Sequence, residues 1–79
     1  MPKPAGITRL SHVCGGDPCI AGTRIPVWLL IRQRQLQVNE FDILRGYPEL
    51  RMQDLEDAWR YYQDHTDEIE GQIREHEHA

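Results

Sequence analysis

Residues 14–27 read CGGDPCIAGTRIPV, and this stretch separates an extended first third of the chain from a helical remainder. Its glycines and its Asp17-Pro18 pair are typical of turns. The segments 7–10, 18–20 and 23–25 around them have the composition and length of short strands. Because a two-stranded ribbon is marginal by itself in water, we expect these segments to pair further, within the chain or with a second copy.

Three apolar patterns with helical spacing follow this stretch. Pro26 suits the first turn of a helix that we predict to end near residues 37–38, and Thr23 could cap it from upstream. Asn39 is a favourable N-cap for a short second helix, which Gly46 ends as a C-cap. A third helix begins near Met52. Its apolar stripe at i, i+3, i+4 and i+7 consists of Leu55, Ala58, Trp59 and Tyr62.

The last sixteen residues are acidic and weakly amphipathic. The polar run 64–66 predicts a break, after which Ile69 and Ile73 continue a weak stripe, and residues 75–79 are expected to fray. The sequence thus predicts a mainly α single domain over residues 1–79, a three-helix helix-turn-helix-like bundle. Its parts are a β arm (1–25), a helix-turn-helix core (26–63) and an acidic helical tail (64–79).

Charge is distributed unevenly along the chain. Residues 1–38 carry five basic side chains and one acidic, a balance of +4, whereas residues 39–79 carry four arginines and twelve carboxylates, a balance of −8. This asymmetry suggests a basic front that can approach phosphates and an acidic back that repels them. Two faces that are merely solvated account for it equally well.

Length and hydropathy limit the class of protein. A chain of 79 residues has a thin core, so we expect a homodimer. The N-terminus lacks the apolar stretch of a secretion signal, and the longest apolar run, residues 25–31, is too short for a bilayer. By elimination we predict a cytoplasmic protein, without membrane contact, in which the thiols stay reduced.

No catalytic or metal-binding constellation stands out, so we predict neither an enzyme nor a cofactor. Ser11 and His12 are sequence neighbours without an acidic partner that the sequence identifies. The one Cys-x4-Cys pair, Cys14 and Cys19, has no second matched pair to complete the roughly four ligands that zinc takes. Small buried thiols are the simpler interpretation of both cysteines.

The stretch of residues 14–27 resembles the hallmark of the domain-of-unknown-function 433 (DUF433) family, Gly-Gly-x-Pro-x-Ile-x-Gly-Thr-Arg-[Ile/Val]-x-Val. Two later blocks are similar to the second half of the family pattern: residues 43–50, ILRGYPEL, and residues 54–62, DLEDAWRYY. The resemblance extends from about Ile7 to Ile69. Two positions depart from it, since Asp17 replaces a frequent Lys and Arg51 replaces a capping Ser or Thr. Arginine cannot accept an N–H bond, which weakens that helix start by about 1 kcal/mol.

The resemblance implies a helix-turn-helix-like fold with a β arm, often a homodimer, and for many members a neighbouring gene for a nuclease-like protein of PIN-type fold. Such members are regarded as antitoxins resembling the VapB class. The resemblance therefore predicts the antitoxin of a type II toxin–antitoxin system, which neutralises a PIN-like ribonuclease and has operator DNA as a second ligand. A stand-alone DNA-binding regulator and a structural protein-interaction module remain as alternatives.

Candidate contact residues follow from charge and position. The third helix opens with carboxylates, which disfavours its insertion into a DNA groove. Arg24 can bind phosphate or tie the arm to the helices, and the spacing of the tryptophans and tyrosines favours a core over a stacking platform. The nucleic-acid candidates are Arg9, Arg24, Arg32 and Arg34. In the acidic tail, the candidates for the toxin contact are Asp67, Glu70 and Arg74.

Overall fold

The computed structural model describes residues 6–9 and 14–77. Two strands, β1 (Ile7–Thr8) and β2 (Cys19–Ile20), precede four helices in these ranges: α1 (Val27–Gln35), α2 (Glu40–Gly46), α3 (Met52–Asp64) and α4 (Thr66–Glu77). The predicted mainly helical fold with short N-terminal strands is confirmed. None of these helices has the length and hydropathy that crossing a bilayer requires.

The two strands pair with each other inside the chain. Ile7 faces Ile20 and Thr8 faces Cys19 in antiparallel register. The third predicted extended segment, 23–25, forms no strand; an isolated bridge joins Cys19 to Pro26 instead. Leu10, the end of the first predicted segment, lies outside the described residues. The pairing that the sequence left open is thus intramolecular for β1 and β2.

A tight turn after β2 directs the chain into α1. Gly22 has a φ of +79°, a left-handed conformation that residues with a Cβ rarely adopt. The Thr23 hydroxyl donates to the Ile20 carbonyl at 2.8 Å and accepts from the Ile25 N–H at 3.1 Å. Thr23 therefore closes the turn and does not cap α1, whose N-cap is Pro26.

The starts of α2 and α3 show how helix caps are built here. Asn39 caps α2 by accepting from the Asp42 N–H at 2.9 Å, as the sequence predicted. Gly46 is still helical, and Tyr47 is the C-cap, one residue later than predicted. Arg51 precedes α3 and supplies no side-chain cap. The Asp54 carboxylate offsets this, because it accepts the Arg51 N–H at 2.8 Å.

The core is one apolar cluster to which all four helices contribute. It joins Ile20 of β2 with Leu30 and Ile31 of α1 and with other side chains of all four helices. Ile69 and Ile73 of α4 are 0% and 4% exposed, so the acidic segment is part of the core. Residues 75–77, which the sequence predicted to fray, continue the helix through Glu77 in this structure; residues 78–79 lie outside the described ranges. Contacts of His76 and Glu77 with α1 explain this order.

The buried carboxylate of Asp54 provides a test of this fold. We predict that Asp54→Ala lowers the free energy of unfolding by about 1–3 kcal/mol, because it leaves the Arg51 N–H without its acceptor. Asp57→Ala is the matched control: Asp57 is less buried and accepts from the Gln53 side chain, so its loss costs about 0.5 kcal/mol or less. Urea unfolding measures both. Equal losses would contradict the capping role.

Candidate functional site

The predicted nucleic-acid residue Arg9 is bound to a carboxylate of α4. Its guanidinium lies 2.6 Å from Glu68 and donates to the hydroxyl of Tyr61, which donates in turn to Glu68 at 3.0 Å. The hydrogen bonds to Tyr61 and then to Glu68 raise the pKa of Arg9 further above its usual value. Arg9 therefore ties β1 to the junction of α3 and α4, and its charge is compensated within the chain.

Arg32, a second predicted nucleic-acid residue, is also paired with α4. Its guanidinium lies 2.6 Å from the carboxylate of Glu77. One turn earlier on α1, the indole of Trp28 stacks on the imidazole of His76, with ring centroids 4.0 Å apart and an angle of 14° between the planes. The end of α4 thus covers this flank of α1.

The other two predicted arginines are not paired with carboxylates in the described part of the chain. The guanidinium of Arg34 lies 4.8 Å from the centre of the Trp59 ring, a cation–π contact. The same indole donates to Glu40 at 3.0 Å. Arg24 is exposed in the turn before α1. The four predicted arginines therefore have different environments: carboxylates of α4 compensate the charges of Arg9 and Arg32, but not those of Arg24 and Arg34.

The three predicted toxin-contact residues on α4 also have different environments. Glu70 accepts hydrogen bonds from the Gln35 amide and the Tyr62 hydroxyl, both at 2.7 Å, and its bond to Tyr62 raises the pKa of that phenol. Glu70 is thus engaged within the fold. Asp67 and Arg74, in contrast, are exposed.

Three exposed residues of α4 and one partly buried glycine share one side of the helix. Asp67, Gly71, Arg74 and Glu75 fall at i, i+4, i+7 and i+8, within about a quarter of the helix circumference. We call these four residues the outer α4 face. It lies opposite the buried Ile69 and Ile73, and a Cβ built on Gly71 would meet only the Arg74 guanidinium, at 3.8 Å. The face is charged, and no side chain projects from its centre at Gly71.

Sequence reasoning missed the residues that join α4 to α1 and to α3. Gln35, Tyr61 and Tyr62 were not identified as polar partners of α4, and His76 and Glu77 were assigned to a frayed end. These contacts connect distant parts of the chain, and no local periodicity indicates them.

The two cysteines are free thiols beside the β2 turn. Cys19 is fully buried, and its sulfur donates to the Thr23 carbonyl at 3.7 Å. Burial, followed by a hydrogen bond with Cys19, raises the pKa of Cys14 to about 12. Among residues 6–9 and 14–77, no group of three or more His, Cys, Asp or Glu is placed to hold a metal ion. His12 and His78 lie outside these ranges.

Comparisons with known proteins agree with this fold. The model of the family described as "Protein of unknown function (DUF433)" matches residues 7–62. The crystal structure of a DUF433 member protein from Anabaena variabilis ATCC 29413 is similar, with a TM-score of 0.84 and 40% sequence identity. The similarity covers 86% of this chain and 67% of that one. No curated protein matches the chain.

The raised pKa of Cys14 gives a testable result. At about pH 8, we expect iodoacetamide to label Cys14 of the folded protein roughly a hundredfold or more slowly than in the urea-unfolded chain, because only the thiolate reacts. The folded rate should keep rising with pH toward about 12, whereas the unfolded rate levels off above the usual value of 9.0. Peptide mass spectrometry separates Cys14 from Cys19. Equal rates in the two states would contradict the protected thiol.

Proposed function

The chain belongs to the DUF433 family, and on that premise we propose that it is the antitoxin of a type II toxin–antitoxin pair. In this role it binds a PIN-like ribonuclease and silences it by occupying the RNA-binding groove. The proposal assigns the chain no reaction of its own. Its second copy, in a homodimer, would present the same surface twice.

The observation that carries this proposal is the outer α4 face. Asp67 and Glu75 present carboxylates to solvent, while the opposite side of the helix is fixed in the core by Ile69 and Ile73. A groove that handles RNA attracts phosphates and therefore carries positive charge. An acidic helix competes for such a groove, and Arg74 can fork around the carboxylates that hold the nuclease metal.

The anchoring of α4 makes this surface suitable for tight binding. Glu68 and Glu70 are held by side chains outside α4, and Ile69 and Ile73 are buried in the core, so the helix does not have to order itself on the partner. Binding by a preorganised element avoids much of the entropic cost of association. Gly71 has no side chain at the centre of the face, and a Cβ there would meet only the tip of Arg74, so the backbone of a partner can approach closely.

A DNA-binding regulator is the second candidate function. It is favoured by Arg24 and Arg34, which are exposed and have no carboxylate partner in the described ranges, and which dimerisation would double. The pairing of Arg9 and Arg32 with α4 counts against it. A regulator would bind its promoter fragment with an affinity that falls steeply with salt, whether or not the nuclease is present.

Charge reversal on the outer α4 face tests the antitoxin proposal. We expect Asp67→Lys and Arg74→Glu each to weaken binding to the nuclease-like product of the neighbouring gene by about tenfold or more, because each places a like charge against the partner. Glu56→Lys and Arg60→Glu on the exposed side of α3 are matched controls and should leave the affinity unchanged. Calorimetric titration measures the affinities, and circular dichroism checks folding.

The result that would overturn the proposal is equal affinity for all four variants and the natural chain. Deletion of residues 66–79 is not a usable test, because it removes Ile69 and Ile73 from the core.

The substitution Gly71→Ala should change protein stability and nuclease binding in opposite directions. Gly71→Ala should raise the free energy of unfolding by up to about 1 kcal/mol, because alanine favours the helix and its Cβ meets only the Arg74 side chain. The same substitution should weaken binding to the nuclease, since the methyl group stands where the partner approaches. Thermal unfolding and calorimetric titration give the two values. Undiminished affinity in the more stable variant would show that the partner does not approach Gly71.

A further inference from the structure

A cleft lies between α1 and the end of α4, away from the residues of the outer α4 face. Its volume is about 540 Å³, within the range of small-molecule sites. Its lining combines a half-buried indole, a cation, an aliphatic side chain and the last two described residues of the chain. These are Trp28, Arg32, Ile73, His76 and Glu77.

Two side chains of α4 contact the indole of Trp28 and the guanidinium of Arg32 in this cleft. The flat imidazole of His76 stacks on Trp28, with 4.0 Å between ring centroids and 14° between planes. The carboxylate of the next residue, Glu77, lies 2.6 Å from the guanidinium of Arg32. Two adjacent residues of α4 thus contact α1 in two ways: the ring of His76 covers the indole of Trp28, and the carboxylate of Glu77 pairs with the guanidinium of Arg32.

A nucleotide has the same pair of groups, a flat base joined by a short linker to an anion. Indoles stack on bases of any sequence, and arginine forms a two-pronged contact with phosphate. We propose that Trp28 and Arg32 form a binding site for one nucleotide unit, with the base on the indole and the phosphate on the guanidinium. In the free chain, His76 and Glu77 occupy this site as an internal competitor.

The end of α4 can leave the site without loss of the fold. The buried anchors Ile69 and Ile73 precede the last turn, whereas residues 74–77 are exposed. An ion pair at the surface, such as that of Arg32 with Glu77, contributes little to stability and exchanges readily with a competing anion. Helix ends are also where a chain opens most easily.

The proposal goes beyond the antitoxin function and does not rest on it. It uses the α1 side of α4, whereas nuclease binding uses the outer α4 face. It also gives a role to the stacking of Trp28, which sequence spacing alone assigned to packing.

Fluorescence titration tests the site in a Trp59→Phe background, which leaves Trp28 as the emitting tryptophan. The probes are thymidine monophosphate, a short oligothymidine and inorganic phosphate. We expect the nucleotide probes to quench Trp28, and Glu77→Gln to tighten their binding by about two- to fivefold, the factor that corresponds to one surface ion pair. Glu75→Gln, with the same charge change on the same exposed turn, is the control and should tighten it less.

The variants and probes distinguish the outcomes. Arg32→Gln should abolish the gain from Glu77→Gln, because the phosphate then has no cation. Quenching by both thymidine probes supports a site for a free nucleotide, and quenching by the oligonucleotide alone supports a single-strand site. No quenching in the Glu77→Gln variant, unchanged binding in Arg32→Gln, or an equal response to inorganic phosphate would overturn the proposal.

Discussion

Burial of Ile69 and Ile73 against the rest of the core is the constraint on which the surface of this protein depends. Each buried isoleucine contributes about 1.5–3 kcal/mol, whereas an exposed ion pair contributes about 0.2–1 kcal/mol. The apolar contacts therefore decide how α4 is rotated, and the polar contacts follow from that rotation. Three carboxylates consequently meet partners on other elements, and two point to solvent.

The way α4 is rotated brings basic and acidic residues that are distant in the sequence next to each other. The basic front and the acidic back are separate along the chain, yet α4 packs on α1 and lies beside the end of β1. Arg9 and Arg32 are therefore paired with Glu68 and Glu77, and a phosphate has to displace a carboxylate of α4 to reach either guanidinium. The outer α4 face keeps two exposed carboxylates, Asp67 and Glu75, against one arginine, and this excess of negative charge favours a basic partner.

The sequence predicts those features that depend on neighbouring residues. Asn39 as a cap, the break at residues 64–66 and the core stripe of α3 all follow from local chemistry or from helical periodicity. The hydrogen bond from the Arg51 N–H to the Asp54 carboxylate stabilises the start of α3 in place of a side-chain cap. Its three-residue spacing is visible in the sequence and could also have been recognised. The bonds of Tyr62 and Gln35 to Glu70 join three helices, and their geometry exists only after the helices have packed. The sequence therefore identifies the acidic helix but not which of its carboxylates remain exposed.

The central claim is that α4 is an integral, preorganised part of the fold. Hydrogen–deuterium exchange of the free protein measures this directly, because amides exchange when their segment opens. We predict that the amides of residues 69–73 exchange about as slowly as those of residues 55–58 in α3, since both segments carry fully buried side chains. Exchange of residues 69–73 at the rate of an unfolded peptide, while α3 stays protected, would contradict the account.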